Sequence, residues 1–334
     1  MKKIFTADIH LHEFSMDNVL TESGITLKLQ ELLNAFKQMC DYAMNNNIEE
    51  IIIGGDINHK KNVVYARSFI RFKKVLKQYP NLKFIIIPGN HDIVDMAAEE
   101  SAVELLDGLK NVDIIMNVEQ RDNILYIPHS NELFNNIKKS EPTDILISHL
   151  PLSEGKVDSG LSINTAFSKK DLKKFKLVLL GDYHTYQNID NIYYPGTLIP
   201  NKRNELGDKG FIVFDSDNLD VEFVETTGYR KCYNLELTED VDVKDFIKNI
   251  KTLNESGHYI TINKKIKEIP QSLKNVMENN VSINDNFEGE IISRGISANQ
   301  NLDDQFKKYL EIEEIEEYNH KKYLEVVKDA LHKR

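Results

Sequence analysis

Five short stretches of the chain combine aspartate, histidine and asparagine in patterns that suit metal chemistry. They are Asp8-Ile9-His10, Gly55-Asp56-Ile57-Asn58-His59, Gly89-Asn90-His91-Asp92, Ser148-His149 and Gly181-Asp182-Tyr183-His184. Imidazole, carboxylate and amide donors favour manganese, iron, zinc or magnesium over copper. The candidate ligands are Asp8, His10, Asp56, Asn90, His149, Asp182 and His184. This set is too large for one tetrahedral ion but suits two ions that share a carboxylate, and such a pair assists phosphoryl displacement by water.

Each stretch taken alone has an ordinary explanation. A single Asp-x-His is usually accidental, Gly-Asn-His-Asp can be a simple turn, and a lone His149 is more often a hydrogen-bonded histidine. What favours a shared site is their order, because each stretch comes directly after an apolar run with strand character.

Strand-like apolar runs alternate with helix-like segments up to about Asp215. The predicted strands are Lys3–Ala7, Glu50–Ile53, Lys83–Ile87, Val112–Met116, Ile124–Ile127, Asp144–Ser148 and Leu177–Leu180. Leu27–Met44 and Tyr65–Tyr79 have helical spacing, and Pro80 ends the second. This alternation predicts an α/β layered fold, in which loops at one end of the strands gather at one site.

The second part of the chain has a different pattern of apolar and polar residues. Short strand candidates at Asn234–Leu237, Tyr259–Asn263 and Glu290–Ile292 predict a small α+β unit, and Ser293–Asn301 resembles a linker. The charged stretch Leu302–Arg334 carries apolar residues at roughly helical intervals. They are Phe306, Leu310, Ile315, Tyr318, Leu324, Val327 and Leu331. We expect three parts, at residues 1–228, 229–295 and 296–334.

Composition limits the setting and the partners. The chain has 334 residues with 41% hydrophobic content, enough for one sizeable core and a smaller unit. It shows no membrane-length apolar run and no signal peptide, so no membrane partner is expected. Cys40 and Cys232 lie far apart without metal-type spacing, which indicates core-filling residues and a cytoplasmic location. The net charge of −11 taken alone favours an ordinary acidic protein, because a protein that binds DNA by itself usually has a basic excess. A chain of this charge that acted on DNA would bind it weakly, use local basic patches or depend on a partner for binding.

The order of the polar stretches resembles the calcineurin-like metallophosphoesterase superfamily. Asp56-Ile57-Asn58-His59 resembles the nuclease branch of that superfamily. Tyr194-Pro195-Gly196-Thr197, followed by Asp208-Lys209-Gly210-Phe211, is similar to a segment of the SbcD-type nucleases, the nuclease subunits of SMC-like ATPase complexes. The resemblance covers roughly residues 1–215. It implies a layered β-sandwich core flanked by helices, a small α+β capping domain and a helical C-terminal tail.

The ligand pattern of the family divides the candidate ligands between two ions. The first ion would take Asp8, His10 and His184, and the second would take Asn90 and His149, with Asp56 as the bridge. Asp182 stands where the family usually has a histidine, and it either ligates the second ion or fails to reach it. We expect two divalent ions, manganese first and magnesium as the alternative.

The resemblance also implies catalytic roles. His91 would protonate the leaving oxygen or stabilise the transition state, Asp92 would orient His91, and His59 would lie near the scissile phosphate. His12 and His129 carry less weight, as a surface histidine and a loop residue that either lines the cleft or closes a turn. The cations Lys60, Lys61, Arg67, Arg71, Lys73 and Lys74 start beside the second polar stretch. They are either a solvated helix face or contacts to a phosphate backbone.

The implied function is a DNA nuclease subunit in recombination or repair. DNA and an SMC-like ATPase would be its partners, with Leu302–Arg334 docking on the ATPase and homodimerisation of the catalytic domain as a second contact. Two alternatives remain open at this point: a cyclic-nucleotide or other small-substrate phosphodiesterase, and a non-catalytic scaffold with a degenerate metal site.

Overall fold

The computed structural model describes residues 1–13, 19–94, 100–156, 165–203, 205–277 and 280–285. In chain order its strands are β1 (Lys2–Thr6), β2 (Glu50–Gly54), β3 (Lys83–Ile87), β4 (Val112–Ile114), β5 (Glu119–Arg121), β6 (Ile124–Ile127), β7 (Ile145–His149), β8 (Leu177–Gly181), β9 (Gln187–Ile189), β10 (Ile192–Tyr194), β11 (Gly210–Asp215), β12 (Val221–Glu225), β13 (Cys232–Leu237), β14 (Tyr259–Lys264) and β15 (Val281–Asp285). The helices are α1 (Leu27–Asn45), α2 (Ala66–Gln78), α3 (Leu133–Lys139), α4 (Val243–Glu255) and α5 (Gln271–Lys274), with short 3-10 turns at Ala102–Leu106 and Lys169–Leu172.

Two six-stranded sheets form the larger part of the described structure. Their strand orders are β12-β11-β1-β2-β3-β4 and β5-β6-β7-β8-β10-β9. Strands β1 to β4 run parallel, as do β6, β7 and β8, while β11 pairs with β1 in the antiparallel direction. The continuous isoleucine runs make this possible, because a parallel strand covered on both faces needs apolar side chains on both.

The two sheets pack face to face. Ile52 and Ile85 of the first sheet share a buried cluster with Ile147 and Leu179 of the second. Helices α1 and α2 cover the outer face of the first sheet, where the Phe36 ring contacts aromatic rings of α2 and β3. The Thr26 side chain caps α1 by accepting a hydrogen bond from the Leu29 amide at 3.3 Å. The expected layered β-sandwich flanked by helices is confirmed.

A third sheet of three parallel strands, β13-β14-β15, follows the sandwich. It has its own apolar core, in which Phe246 and Ile250 of α4 pack on Ile260 and Ile262 of β14. The predicted strand at Glu290–Ile292 and the whole predicted tail lie outside the described residues, and the sheet instead takes its third strand from Val281–Asp285. The domain boundaries given above stay predictions.

Within the described residues, no helix combines the length and the apolar character that a membrane span needs. Cys40 and Cys232 are buried and unpaired, as core-filling residues are expected to be.

Candidate metal centre

The seven candidate ligands meet at one end of the sandwich. Each follows, or ends, a buried parallel strand: Asp8 and His10 after β1, Asp56 after β2, Asn90 after β3, His149 at the end of β7, and Asp182 and His184 after β8. Backbone bonds join the first two loops, since the Asp8 amide donates to the Gly55 carbonyl at 3.0 Å and the His10 amide to the Asp56 carbonyl at 2.9 Å. Parallel strands thus place their carboxyl-end residues at a common edge.

One group of ligand atoms is formed by Asp8, His10 and His184, which lie within 4.8 Å of one another. His10 Nε2 is 3.0 Å from His184 Nε2 and 3.7 Å from Asp8 Oδ1. These three residues are the set expected for the first ion.

A second group surrounds His149, whose side chain is fully buried. His149 Nε2 lies 3.0 Å from Asn90 Oδ1, 3.4 Å from Asp56 Oδ1 and 3.9 Å from Asp182 Oδ1. The other oxygen of Asp56, Oδ2, lies 3.9 Å from His10 Nε2. Asp56 therefore stands between the two groups, where a bridging carboxylate would have to be, and Asp182 reaches the edge of the second.

The three imidazoles of the centre share one orientation. Their Nδ1 atoms point outward and bond to Asn58 O for His10 (3.2 Å), Gly54 O for His149 (2.8 Å) and Glu205 Oε1 for His184 (2.8 Å). Carbonyl and carboxylate oxygens only accept hydrogen bonds, so the proton sits on Nδ1 and the Nε2 lone pair points inward. The Nε2 atoms of His10 and His184 lie 3.0 Å apart, a distance at which two lone pairs repel unless a proton or a metal ion lies between them.

The charges of the centre also indicate a binding site for a cation. Burial lowers the pKa of His10 to about 3, so this imidazole is neutral. Burial raises the pKa of Asp8 to about 7, against the opposing effect of His149 and His184. Asp8 Oδ1 is buried and has no hydrogen-bond partner among the described residues. Nitrogen and oxygen donors with buried, poorly compensated carboxylates fit divalent ions, and these residues would hold them.

Four residues of the centre adopt left-handed backbone conformations. The φ angles are 55° for Asp8, 49° for His10, 55° for Asp56 and 106° for Asp182. Outside glycine such conformations cost about 1–3 kcal/mol each, and they concentrate at functional sites. Burial and the interstrand hydrogen bonds hold the ligands in these conformations.

Comparison with known proteins agrees with this geometry. The sequence profile of the calcineurin-like phosphoesterases matches residues 1–186. The chain belongs to this family. It is accordingly a metal-dependent hydrolase with a metallophosphoesterase fold, and no curated protein sequence matches it.

Solved structures include two relatives of this phosphoesterase. A nuclease, MPE, of Pseudomonas putida shares 14% identity over 56% of this chain and 63% of its own, with a TM-score of 0.27. A dimetal phosphatase of Danio rerio shares 10% identity over 68% of this chain and 99% of its own, with a TM-score of 0.40. The phosphoesterase therefore spans less than two thirds of the nuclease.

His91 lies at the open side of the phosphoesterase centre. Its side chain is 36% exposed, and its Nε2 is 3.9 Å from Asp56 Oδ2. Its Nδ1 donates to the His59 carbonyl at 2.7 Å, whereas the Asp92 carboxylate accepts the amides of Ile57, Asn58 and Gly89 at 3.2, 2.8 and 3.0 Å. The expectation that Asp92 orients His91 is wrong. Asp92 accepts three backbone hydrogen bonds and holds the second and third ligand loops together instead.

Three further histidines surround the centre. His59 and His12 stack with their ring centroids 3.8 Å apart, and the His59 ring lies 5.6 Å from that of His10. His12 is half-buried rather than an exposed surface residue, and the His129 ring lies 6.4 Å from that of His149. The role of His59 near a scissile phosphate stays a prediction.

Sequence patterns do not identify Glu205 and Lys209 as parts of the site. Both side chains are fully buried, and they form an ion pair with Glu205 Oε2 3.2 Å from Lys209 Nζ. Glu205 accepts the Nδ1 proton of His184, although 21 residues separate them. Lys209 belongs to a segment that the sequence singles out, but nothing in the sequence shows that its ammonium is buried.

The basic cluster of α2 has a structural use. Arg67 donates to the Gly24 carbonyl at 2.9 Å, Arg71 to the Ser23 carbonyl at 3.3 Å, and Lys73 to the Leu105 carbonyl at 2.8 Å. These hydrogen bonds anchor neighbouring loops to the helix. Lys60, Lys61 and Lys74 are exposed.

Proposed function

We propose that this phosphoesterase is a DNA nuclease of the SbcD type. It would use two divalent ions, Mn²⁺ first and Mg²⁺ as the alternative, and it would work as the nuclease subunit of an SMC-like ATPase complex in recombination or repair. The observation that carries the choice of DNA is a pair of exposed lysines at the open side of the centre.

These lysines, Lys60 and Lys202, come from two different loops, and both are near enough to His59 to act on its charge. Burial and the neighbouring His91 imidazole lower the pKa of His59. Lys60 and Lys202 lower it further, so their ammonium groups act on the mouth of the centre from both loops. Both side chains are exposed and free to contact phosphates on either side of a scissile bond. A small phosphodiester would leave such flanking charges unused.

The residues of the centre suit hydrolysis of a phosphodiester. Bound divalent ions would supply positive charge and lower the pKa of a bound water. His91 holds its Nδ1 proton against the His59 carbonyl, so its Nε2 is the atom that can carry a proton to the leaving oxygen. Its partial exposure lets the leaving strand depart to solvent.

The decisive experiment compares substrates under manganese. Linear and circular duplex DNA and a chromogenic phosphodiester would be tested side by side. We expect the double variant Lys60→Ala/Lys202→Ala to lose most DNA cleavage while it hydrolyses the chromogenic diester normally. Each phosphate contact contributes about 0.9 to the slope of the logarithm of the DNA-binding constant against the logarithm of the salt concentration, so that slope should become shallower by about two. Lys2→Ala is the matched control, because Lys2 begins β1 at the end opposite Asp8.

Two outcomes contradict the nuclease proposal. Equal loss of both activities in the double variant would mean that the lysines serve the centre itself. Hydrolysis of the small diester with no cleavage of either DNA would favour a small-substrate phosphodiesterase.

The partner proposal is supported by sequence and charge. A net charge of −11 weakens any long-range attraction to DNA, and a partner that binds DNA would compensate for this. The apolar residues of Leu302–Arg334 offer a contact for an SMC-like ATPase. The full-length variant Leu324→Glu/Leu331→Glu should lose co-purification with a coexpressed ATPase and keep its manganese-dependent activity. Undiminished binding would place the contact elsewhere, and light scattering would test the expected homodimer.

A further inference from the structure

The loop between β10 and β11 encloses the backbone of His184. Three donors converge on the His184 carbonyl oxygen: the Thr197 amide at 3.1 Å, Thr197 Oγ1 at 3.3 Å and Lys209 Nζ at 2.7 Å. Gly196 permits this approach, since its φ is +71° and an added Cβ would lie 2.7 Å from the same carbonyl oxygen. The Tyr-Pro-Gly segment therefore fixes the main chain of one ligand.

The same loop fixes the His184 side chain through Glu205. Glu205 Oε1 accepts from His184 Nδ1 at 2.8 Å. Its other oxygen, Oε2, accepts from the Asn201 amide at 2.8 Å and from Lys209 Nζ at 3.2 Å. Thr197 Oγ1 lies 3.3 Å from Oε2 and 3.3 Å from the His184 carbonyl, so its single proton is shared between the two oxygens. Because both oxygens are bonded and the side chain is fully buried, the carboxylate has one orientation.

His184 differs in this respect from the other two imidazoles of the centre. Those of His10 and His149 donate to neutral backbone carbonyls. Glu205 also forms an ion pair with the fully buried Lys209 ammonium, with Oε2 3.2 Å from Nζ, so the group that accepts the His184 proton is a charged carboxylate. A carboxylate acceptor increases the basicity of a ligating imidazole more than a neutral carbonyl does.

We propose that Glu205 is a positioning residue of the metal centre, which fixes the Nδ1–H tautomer of His184 and so presents Nε2 to an ion. Lys209 supports it by anchoring the Glu205 carboxylate and the His184 carbonyl together. The segment from Pro195 to Lys209 thereby gains a function in metal binding. This inference rests on His184 being a metal ligand, as the proposed function requires.

The test is Glu205→Gln in the full chain, because an amide has one accepting oxygen where the carboxylate has two. The Asn201 amide and the Lys209 ammonium both donate to the Oε2 position, so the amide oxygen should turn to them and the NH₂ group should face His184 Nδ1. That arrangement forces the proton of His184 onto Nε2. Two-dimensional ¹⁵N NMR of the metal-free protein, assigned with His184→Asn, should show the inverted tautomer. Isothermal titration should show Mn²⁺ binding weakened by about 10- to 100-fold.

Glu31→Gln is the matched control, because it replaces another buried carboxylate, which accepts from Arg230 Nε at 2.7 Å. It should leave the tautomer and the Mn²⁺ affinity unchanged. If Glu205→Gln fails to fold, Glu205→Gln/Lys209→Met removes the uncompensated buried ammonium and should give the same two results.

Two results overturn the inference: an Nδ1–H tautomer that persists in Glu205→Gln, or a Mn²⁺ affinity within about twofold of the wild type. Neither measurement uses DNA. A wild type that shows the expected tautomer and Mn²⁺ affinity but cuts no DNA would refute the nuclease proposal and leave this one standing.

Discussion

Gly89→Ala should damage the metal centre without removing any ligand. An added Cβ at Gly89 would lie 2.3 Å from Asp56 Oδ1, 2.5 Å from Asp56 N and 2.9 Å from His149 Cε1. Ordinary van der Waals contact begins near 3.4 Å, so the methyl group must push these atoms by about 1 Å. A side chain can rotate away, but the Asp56 amide belongs to the backbone. The Asp56 carboxylate and the buried His149 imidazole must therefore move apart.

The size of the effect follows from that displacement. A misplacement of about 1 Å at a reacting centre costs roughly 100-fold in rate. Overpacking of a tight interior costs about 1–3 kcal/mol of folding free energy. We expect hydrolysis of a chromogenic phosphodiester to fall about 100-fold, with weaker Mn²⁺ binding by calorimetry and a lower melting temperature.

Gly108→Ala is the control for stability alone. Gly108 has a φ of +80° and nothing within 4 Å of an added Cβ, so alanine costs about 1–2 kcal/mol of backbone strain and disturbs no ligand. Gly108→Ala should have a lower melting temperature and yet hydrolyse the diester and bind Mn²⁺ normally. Normal hydrolysis and Mn²⁺ binding in Gly89→Ala would refute the geometry argued here for Asp56 and His149.

Three other predictions concern the proton donor, the unusual ligand and the metals. His91→Ala should keep Mn²⁺ by elemental analysis and lose about 100-fold or more in cleavage, and near-normal cleavage would remove His91 from the mechanism. Asp182→Ala should weaken Mn²⁺ binding at one of two sites about tenfold, a loss of about 1.4 kcal/mol, and Asp182→His should restore it. An unchanged Mn²⁺ affinity by calorimetry would mean that Asp182 is not a ligand. Chelation with EDTA should lower the melting temperature by several degrees, and Mn²⁺ at about 100 times its Kd should restore about 2.7 kcal/mol. Asp56→Asn should abolish most of that shift, and a wild type whose melting ignores Mn²⁺ would contradict the metal assignment.

The sandwich and the ligand positions were predictable because they depend on local patterns. A run such as Ile51-Ile52-Ile53 indicates a strand buried on both faces wherever it pairs, and Asp56 after it must emerge at the carboxyl edge. The third sheet was only partly predictable, because Val281–Asp285 mixes polar and apolar residues and has a weak strand pattern.

Contacts between distant loops were not predictable in the same way. The family resemblance implies that Asp92 orients His91, but its carboxylate accepts hydrogen bonds from the amides of Ile57, Asn58 and Gly89 instead. Glu205 looks like an ordinary solvated carboxylate in a polar stretch. Only the fold shows that it is buried against His184 and Lys209, since hydrogen bonds between loops leave no periodic trace in a sequence.

Strand β1 pairs on one side with a strand that is made much later. In the first sheet it lies between β2 and β11, and Lys3 stands opposite Phe214. A ribosome adding about 5–20 residues per second needs roughly 10–40 s to proceed from Thr6 to Gly210. During that time one edge of β1 has no partner strand, and the sandwich around Asp8 and His10 is incomplete. A nascent chain paused before Gly210 would carry all seven candidate ligands and still lack β11 and β12, which complete the first sheet beside β1.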